Sequence, residues 1–251
     1  ILTKIAPKNI ILVAGTNGKT TTTLMIKHIL GDNVVTNVSG ANLLNGIVSA
    51  IITSPPEDWG VFEVDEATLP LVISNLQFSI SNEKKIIIVL LNLFRDQLDR
   101  YGEVDSIVKK WQDALRNFSG TLILNSDDPQ IASLGKEKTI YFGLNDQKLF
   151  RKIPEHAMDS QFCPVCGQRL SYAGTFYSHL GIWDCKNCGF SRPKTDLPHW
   201  SNWANLKGVY NRYNVLAAVL TVKTLGFKDE IINKVLGSFK PAFGRQEEIG
   251  K

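Results

Sequence analysis

The sequence has 251 residues, 43% hydrophobic and 21% charged, with a formal charge of +4. These are globular proportions with enough apolar surface for a real core, which excludes collagen, coiled coil and wholesale disorder. The mild charge does not by itself call for nucleic acid, and the longest strongly apolar run, Ile86–Leu91, is about a third of a membrane span.

In chain order, Ile1–Val13 lacks the cleavage-site pattern of a secretion signal. The chain opens without Met and stops six residues after Arg245, so it is expected to be part of a longer protein. Ile10–Val13 is a strand-like run ending in a glycine turn. The Thr-rich stretch that follows carries Leu24, Ile26, Ile29 and Leu30 at helical spacing. Val34–Thr36 reads as a short strand, and Ser39 is placed to cap a helix through Leu43, Ile47 and Ile51. Val61–Val64, Ile86–Leu91 and Leu122–Leu124 are further β-type runs, and Val104–Leu115 is helical. Short apolar strands alternating with helices predict an α/β fold with a mostly parallel sheet flanked by helices.

From Asn145 to Lys207 the texture changes to Cys, Trp, Pro and polar residues with little periodicity. Helical patterns return at Asn214–Leu225 and Asp229–Phe239, separated by Gly226. Residues 145–207 are therefore expected to be an insertion in a domain made of residues 1–144 and 208–247.

Asn9–Thr23 reads NIILVAGTNGKTTTT. A strand enters a Gly-containing turn and a Lys-Thr pair opens a helix. Backbone N–H groups in such a turn converge on phosphate oxygens. Gly15, Thr16, Asn17, Gly18, Lys19, Thr20 and Thr21 form the expected nucleotide loop. Lys19 would reach the terminal phosphates of ATP, and the Thr20 hydroxyl would hold Mg²⁺. The glycine spacing departs from the general P-loop pattern, because Val13 stands five residues before Gly18. The competing reading is a plain glycine turn with Lys19 solvated. A carboxylate at the end of a neighbouring strand should complete the magnesium site. Val61–Glu66 (VFEVDE) supplies it, with Glu63 first, Asp65 on the same face, and Asp65 and Glu66 expected to fray towards solvent.

Cys163-Pro-Val-Cys166-Gly and Cys185-Lys-Asn-Cys188-Gly are separated by 18 residues. That is zinc-ribbon spacing, predicting a closed, structural four-thiolate Zn²⁺ site over residues 163–189. Gly167 and Gly189 would turn the chain sharply after each knuckle. Lys186, Arg192 and Lys194, with Tyr172, Phe176, Tyr177 and Trp183, allow a nucleic-acid ribbon as an alternative. Aromatics in so small a module are expected instead to be its core, and His179 to be a surface or core residue.

GTNGKTTTT (Gly15–Thr23), EVDE (Glu63–Glu66), NLFRDQLDRYGE (Asn92–Glu103), LNSDDP (Leu124–Pro129), YNRYNVLAA (Tyr210–Ala218) and FGRQE (Phe243–Glu247) together resemble the central ATPase domain of Mur ligases. The four-cysteine insertion resembles the MurT branch in particular. The resemblance implies that Glu63 carries the Mg²⁺ carboxylate, that Asn211 recognises adenine with Asn214 facing the same way, and that Arg245 meets the terminal phosphates. Where amino-acid-adding relatives have His, Arg95-Asp96-Gln97-Leu98-Asp99 carries Gln97, which puts a second Mg²⁺ in doubt. Lys109 and Lys110 are expected to be solvated rather than a carbamoylated lysine.

The resemblance further implies an ATP-dependent amide ligase that activates the D-Glu α-carboxylate of lipid II as an acyl phosphate. Ammonia would come from a GatD-type glutaminase partner, in the cytoplasm at the inner face of the membrane. No membrane contact beyond lipid II and no nucleic acid are expected. Lys19 and Arg245 would act as phosphate-charge stabilisers, and the catalytic residues would lie on a C-terminal ligase domain not in this sequence. An amino-acid-adding ligase of the Mur or folylpolyglutamate type, and a zinc-ribbon P-loop ATPase on nucleic acid, are the alternatives.

Overall fold

The computed structural model describes residues 7–37, 40–77, 85–95, 104–152, 159–197 and 199–240. A six-stranded parallel sheet forms the frame, in the order β2-β3-β1-β4-β5-β6. Its strands are β1 (Asn9–Ala14), β2 (Val34–Val35), β3 (Trp59–Val64), β4 (Lys85–Leu90), β5 (Thr121–Asn125) and β6 (Thr139–Phe142). The connecting helices are α1 (Lys19–Leu30), α2 (Leu44–Thr53), α3 (Leu69–Gln77), α4 (Val104–Leu115) and the single turn α5 (Pro129–Ala132). A two-stranded antiparallel hairpin follows, β7 (Ser171–Tyr177) and β8 (Leu180–Asp184), and then α6 (Val209–Thr224) and α7 (Asp229–Leu236).

Side-chain alternation explains why the central strands are apolar throughout. Ile11 and Val13 of β1, with Ile87 and Val89 of β4, join the core under α1 and α6. Ile10, Leu12 and Ala14, with Ile86, Ile88 and Leu90, join the core under α2, α3 and α4. Each strand feeds both cores, so no position on it can be polar without a partner. Helix α6 is buried from Tyr213 to Val222, which accounts for its lack of an amphipathic stripe.

Most expected elements appear with shifted ends. Strand β3 starts two residues early at Trp59, and α6 starts five early at Val209, which puts Asn211 in its first turn. The helix expected from Ser39 starts at Leu44, with Leu43 in the cap position and no side-chain cap; Ser39 lies outside the described residues. Strand β6, helix α3 and the β7–β8 hairpin carried too short or irregular a pattern to be read. The segment 145–207 does not stand apart as a separate module: Phe176, Leu180, Leu197, Trp200 and Ala204 lie in the same core as β1 and α6.

Topology sets the site. The chain leaves β1 towards β2 and β3, then returns across it to β4, β5 and β6. The loop after β1 thus lies between the carboxyl ends of β3 and β4, where ligands bind in open parallel sheets.

Candidate nucleotide site and metal centre

The glycine loop and its helix are built as the sequence predicts. Gly18, at φ 90°, occupies the cap position of α1. A Cβ there would sit 2.0 Å from Asn214 Oδ1, so glycine is required both by the backbone and by the approach of α6. Asn211 and Asn214 are both buried; Asn214 Nδ2 donates to Asn211 Oδ1 at 3.1 Å and Asn211 Nδ2 to Lys207 O at 2.8 Å. Of the implied nucleotide residues, Gly18 and the two asparagines are therefore neighbours. Arg245, Asp96, Gln97 and Asp99 lie outside the described residues.

Lys19 folds back over its own loop. Its Nζ donates to Gly15 O at 2.6 Å, to Thr16 O at 3.3 Å and to Glu66 Oε1 at 3.2 Å. Thr20 Oγ1 donates to Glu63 Oε2 at 2.6 Å. Adjacent ligands of an octahedral Mg²⁺ stand about 2.9 Å apart at bond lengths of 2.0–2.1 Å, so Thr20 and Glu63 fit that ion as two neighbouring ligands. Glu63 is held from behind by Asn37, whose Oδ1 accepts from Glu63 N and whose Nδ2 donates to Glu63 O.

Asp65 and Glu66 correct the expectation of a frayed strand end: both are buried. The chain turns at Asp65, whose carbonyl accepts from the N–H groups of Thr68 and Leu69 and whose Oδ1 accepts from Ala67 N. That turn aims Glu66 at Lys19, while Trp111 Nε1 of α4 donates to Glu66 O at 2.8 Å. Burial pushes the Glu66 carboxyl above its usual range, with the Lys19 ammonium pulling the other way. Lys109 and Lys110 are exposed on α4, as expected.

Asn92, just beyond β4, was legible only as part of a motif. It clasps the loop three times: Asn92 Oδ1 accepts from Asn17 N, its Nδ2 donates to Asn17 O, and its carbonyl accepts from Thr16 N at 2.9 Å. Phe94 N donates to Thr16 Oγ1 at 3.0 Å. A cleft of about 760 Å³ opens beside these groups, lined by Thr16, Lys19, Asn42, Asp65, Glu66 and Phe94.

The four cysteines come together. All four Sγ atoms lie within 4.8 Å of one another, with Cys163–Cys188 at 3.6 Å and Cys166–Cys185 at 3.5 Å, and all are free thiols. A Zn–S bond of 2.3 Å gives a tetrahedral edge of about 3.8 Å, so the thiols fit a single zinc. The two knuckles match each other. Gly167 N donates to Cys163 O and Gly189 N to Cys185 O, with φ of 73° and 76° at the two glycines. The N–H of Gln168 holds the Cys166 thiol down to about 6, whereas burial raises Cys163.

Two of the ribbon's four aromatics are core, as expected: Trp183 packs with Leu170, Cys163 and Cys185, and Phe176 is buried in the main core, whereas Tyr172 is half-buried and Tyr177 is exposed. Arg192 does not face outward. Its Nε donates to the buried Asp127 at 2.7 Å, and Asp127 also accepts from Tyr213 OH at 2.7 Å and from Leu144 N at 2.9 Å. Burial raises the Asp127 carboxyl despite Arg192. His179 is a fully buried core residue.

A family model described as the Mur ligase middle domain matches residues 13–174. The chain is 33% identical to the MurT subunit of lipid II isoglutaminyl synthase from Streptococcus pneumoniae, over 95% of this chain and 58% of that protein. It is 30% identical to the MurT subunit from Staphylococcus aureus, over 100% of this chain and 61% of that one. Thus the chain spans about three fifths of the length of these relatives. Among solved structures, a pseudomurein peptide ligase type C from Methanothermus fervidus matches with a TM-score of 0.79 and 27% identity, over 100% of this chain and 53% of that one. MurF from Acinetobacter baumannii, at 19% identity and a TM-score of 0.61, over 99% of this chain and 49% of that one, shares the fold. With a parallel sheet, a glycine loop at its switch point and these matches, the chain belongs to the Mur ligase family, of which it carries the middle domain.

Proposed function

We propose that this chain is the ATP-binding part of a MurT-type carbon–nitrogen ligase that amidates the D-Glu α-carboxylate of lipid II. The observation that carries the reading is the convergence of Lys19, Thr20 and Glu63 at one end of the sheet, in a chain matched by MurT subunits over nearly its whole length.

In this reading the loop from Gly15 to Thr21 cradles the phosphates, and Asn211 with Asn214 takes the adenine. Lys19 moves from Gly15 O and Glu66 to the β- and γ-phosphates, where Arg245 joins it. Thr20 and Glu63 hold Mg²⁺, which supplies charge neutralisation. A carboxylate oxygen of the acceptor attacks the γ-phosphorus and ADP leaves, giving an acyl phosphate. Ammonia attacks the acyl carbon, phosphate leaves, and the amide remains. Ammonia comes from glutamine through a GatD-type glutaminase, in the cytoplasm at the inner membrane face. Among the described residues no helix is long and apolar enough to cross a membrane. The four cysteines hold a structural Zn²⁺, which stiffens the insertion and takes no part in the reaction.

One observation favours a second reading. The likeness to a pseudomurein peptide ligase suits an enzyme that adds an amino acid instead of ammonia. The full-length protein, given lipid II and ATP, separates the two by which nucleophile releases ADP: ammonium, glutamine with a glutaminase, or an amino acid. Transfer of ¹⁸O from a labelled acceptor carboxylate to phosphate tests the acyl phosphate. ADP release with amino acids alone would favour the second reading.

A further inference from the structure

The turn leaving β4 is tied at three successive backbone amides. Leu93 N donates to Asp128 Oδ2 at 2.8 Å, Phe94 N to Thr16 Oγ1 of the glycine loop at 3.0 Å, and Arg95 N to Asp159 Oδ2 at 3.4 Å. One side chain stands beside all three ties. His179, at the two-residue tip of the β7–β8 hairpin, has no exposed surface. Its Nε2 lies 3.3 Å from the same Asp128 oxygen that receives Leu93 N, and its Nδ1 lies 4.0 Å from the Asp159 oxygen that receives Arg95 N. Phe94 meets the imidazole edge-on, ring centroids 4.7 Å apart. Asp128 further accepts from Gln130 N and Ile131 N, so it acts as acceptor throughout and Nε2 is the donor.

We infer that His179 is a positioning residue of the nucleotide site: the ribbon hairpin inserts it between two carboxylates to fix the Leu93–Arg95 turn, and through Phe94 and Thr16 the shape of the phosphate loop. The chemistry supports a positioning device over mere filling. A buried imidazole is costly beside an apolar alternative of the same size unless it is hydrogen-bonded; Nε2 bonds the Asp128 carboxylate that holds the turn, while Nδ1 has no hydrogen-bond partner among the described residues and stands 4.0 Å from Asp159. The sequence distances are long, 51 residues between His179 and Asp128 and 78 between Phe94 and Thr16, so the arrangement exists only once the insertion has docked. The inference rests on reading Gly15–Thr21 as the phosphate site.

The test is nucleotide affinity by calorimetry on the full-length protein, with MgATP and AMP as paired probes. His179→Phe keeps the ring and loses both nitrogens, and His179→Gln restores a donor near Nε2. His179→Phe is expected to weaken MgATP by about tenfold, the size of one lost charge-assisted hydrogen bond. AMP, which carries neither terminal phosphate, should stay within about twofold. Zinc content should be unchanged, and His179→Gln should recover most of the loss. Equal weakening of MgATP and AMP, or no weakening of either in a folded variant, would overturn the inference. If His179→Phe does not fold, Phe94→Leu decides: selective loss for MgATP supports the inference, and wild-type affinity overturns it. Failure of the wild type to bind MgATP would instead remove the phosphate-site reading, a distinct outcome.

Discussion

Thr20 Oγ1 and Glu63 Oε2 stand 2.6 Å apart, the first in the opening turn of α1, reached from β1 through the glycine loop, and the second at the penultimate position of β3. Forty-three residues of chain separate them, and the parallel register of β1 on β3, with Val13 opposite Glu63, brings them together. Glu63→Gln replaces a carboxylate with a neutral amide at that point. The Mg²⁺ concentration needed for half-maximal nucleotide turnover should rise about tenfold or more, because hard cations favour anionic oxygen. A Mg²⁺ titration of ADP release checks this; an unchanged midpoint would move the ligand to Asp65.

Lys19→Ala should lower ATP turnover by roughly 10²–10³-fold, the scale of one lost charge stabiliser at a developing phosphoryl charge. The fold should persist, since among the described residues Lys19 bonds only two carbonyls of its own loop and Glu66. Turnover kinetics and far-ultraviolet circular dichroism of the same preparation separate the two effects.

Glu66 sets a pH dependence. Its carboxyl rises above the ordinary 4.5 on folding, chiefly by burial. A carboxyl raised in this way binds its proton more tightly folded than unfolded, so stability falls as pH climbs from 4.5 through the folded value. Glu66→Gln should therefore be more stable than wild type at pH 7 and lose that advantage as pH is brought to 4.5. Urea denaturation at the two pH values would contradict this if the gap were the same at both.

Much of the frame was legible because it rests on local pattern. Ile10–Val13 and Ile86–Leu91 are apolar at every position, as strands buried on both faces must be, and GTNGKT announces its loop by glycine placement. The cysteines announced their cluster by spacing alone. Glu66 was not legible, because its burial comes from a turn at Asp65 and from Trp111 on a helix 45 residues away. The same holds for Asn92, Asn37 and His179: each acts through contacts between segments far apart in sequence, and no periodicity signals such a contact. Arg192 looked like a surface cation beside a zinc knuckle, yet its partner lies 65 residues upstream.

The four-thiol site predicts about one zinc per chain by elemental analysis. Cys163→Ser should release most of the metal and loosen the two knuckles, residues 163–170 and 183–189, while the sheet persists, because Cys163 lies in the small cluster around Trp183 and not in the two cores that hold the strands. Hydrogen exchange would show fast amides confined to those knuckles; fast exchange in β1 or β4 would contradict it.

Asp127 has a consequence for any attempt to move the ribbon between proteins. Its two carboxylate oxygens receive Arg192 from the insertion and Tyr213 from α6, and its carbonyl receives Gly181 N and Trp183 Nε1. Excising residues 145–207 would strip a buried acid of its only cationic partner among the described residues and reopen the wall that Phe176 and Leu180 close. Grafting that stretch into a ligase without an equivalent acid would give a knuckle that still folds around its metal but swings on its tethers. Residues 145–207 and the sheet are thus packed as one unit, and a donor sequence for such a graft must bring Asp127, Arg192 and Tyr213 together.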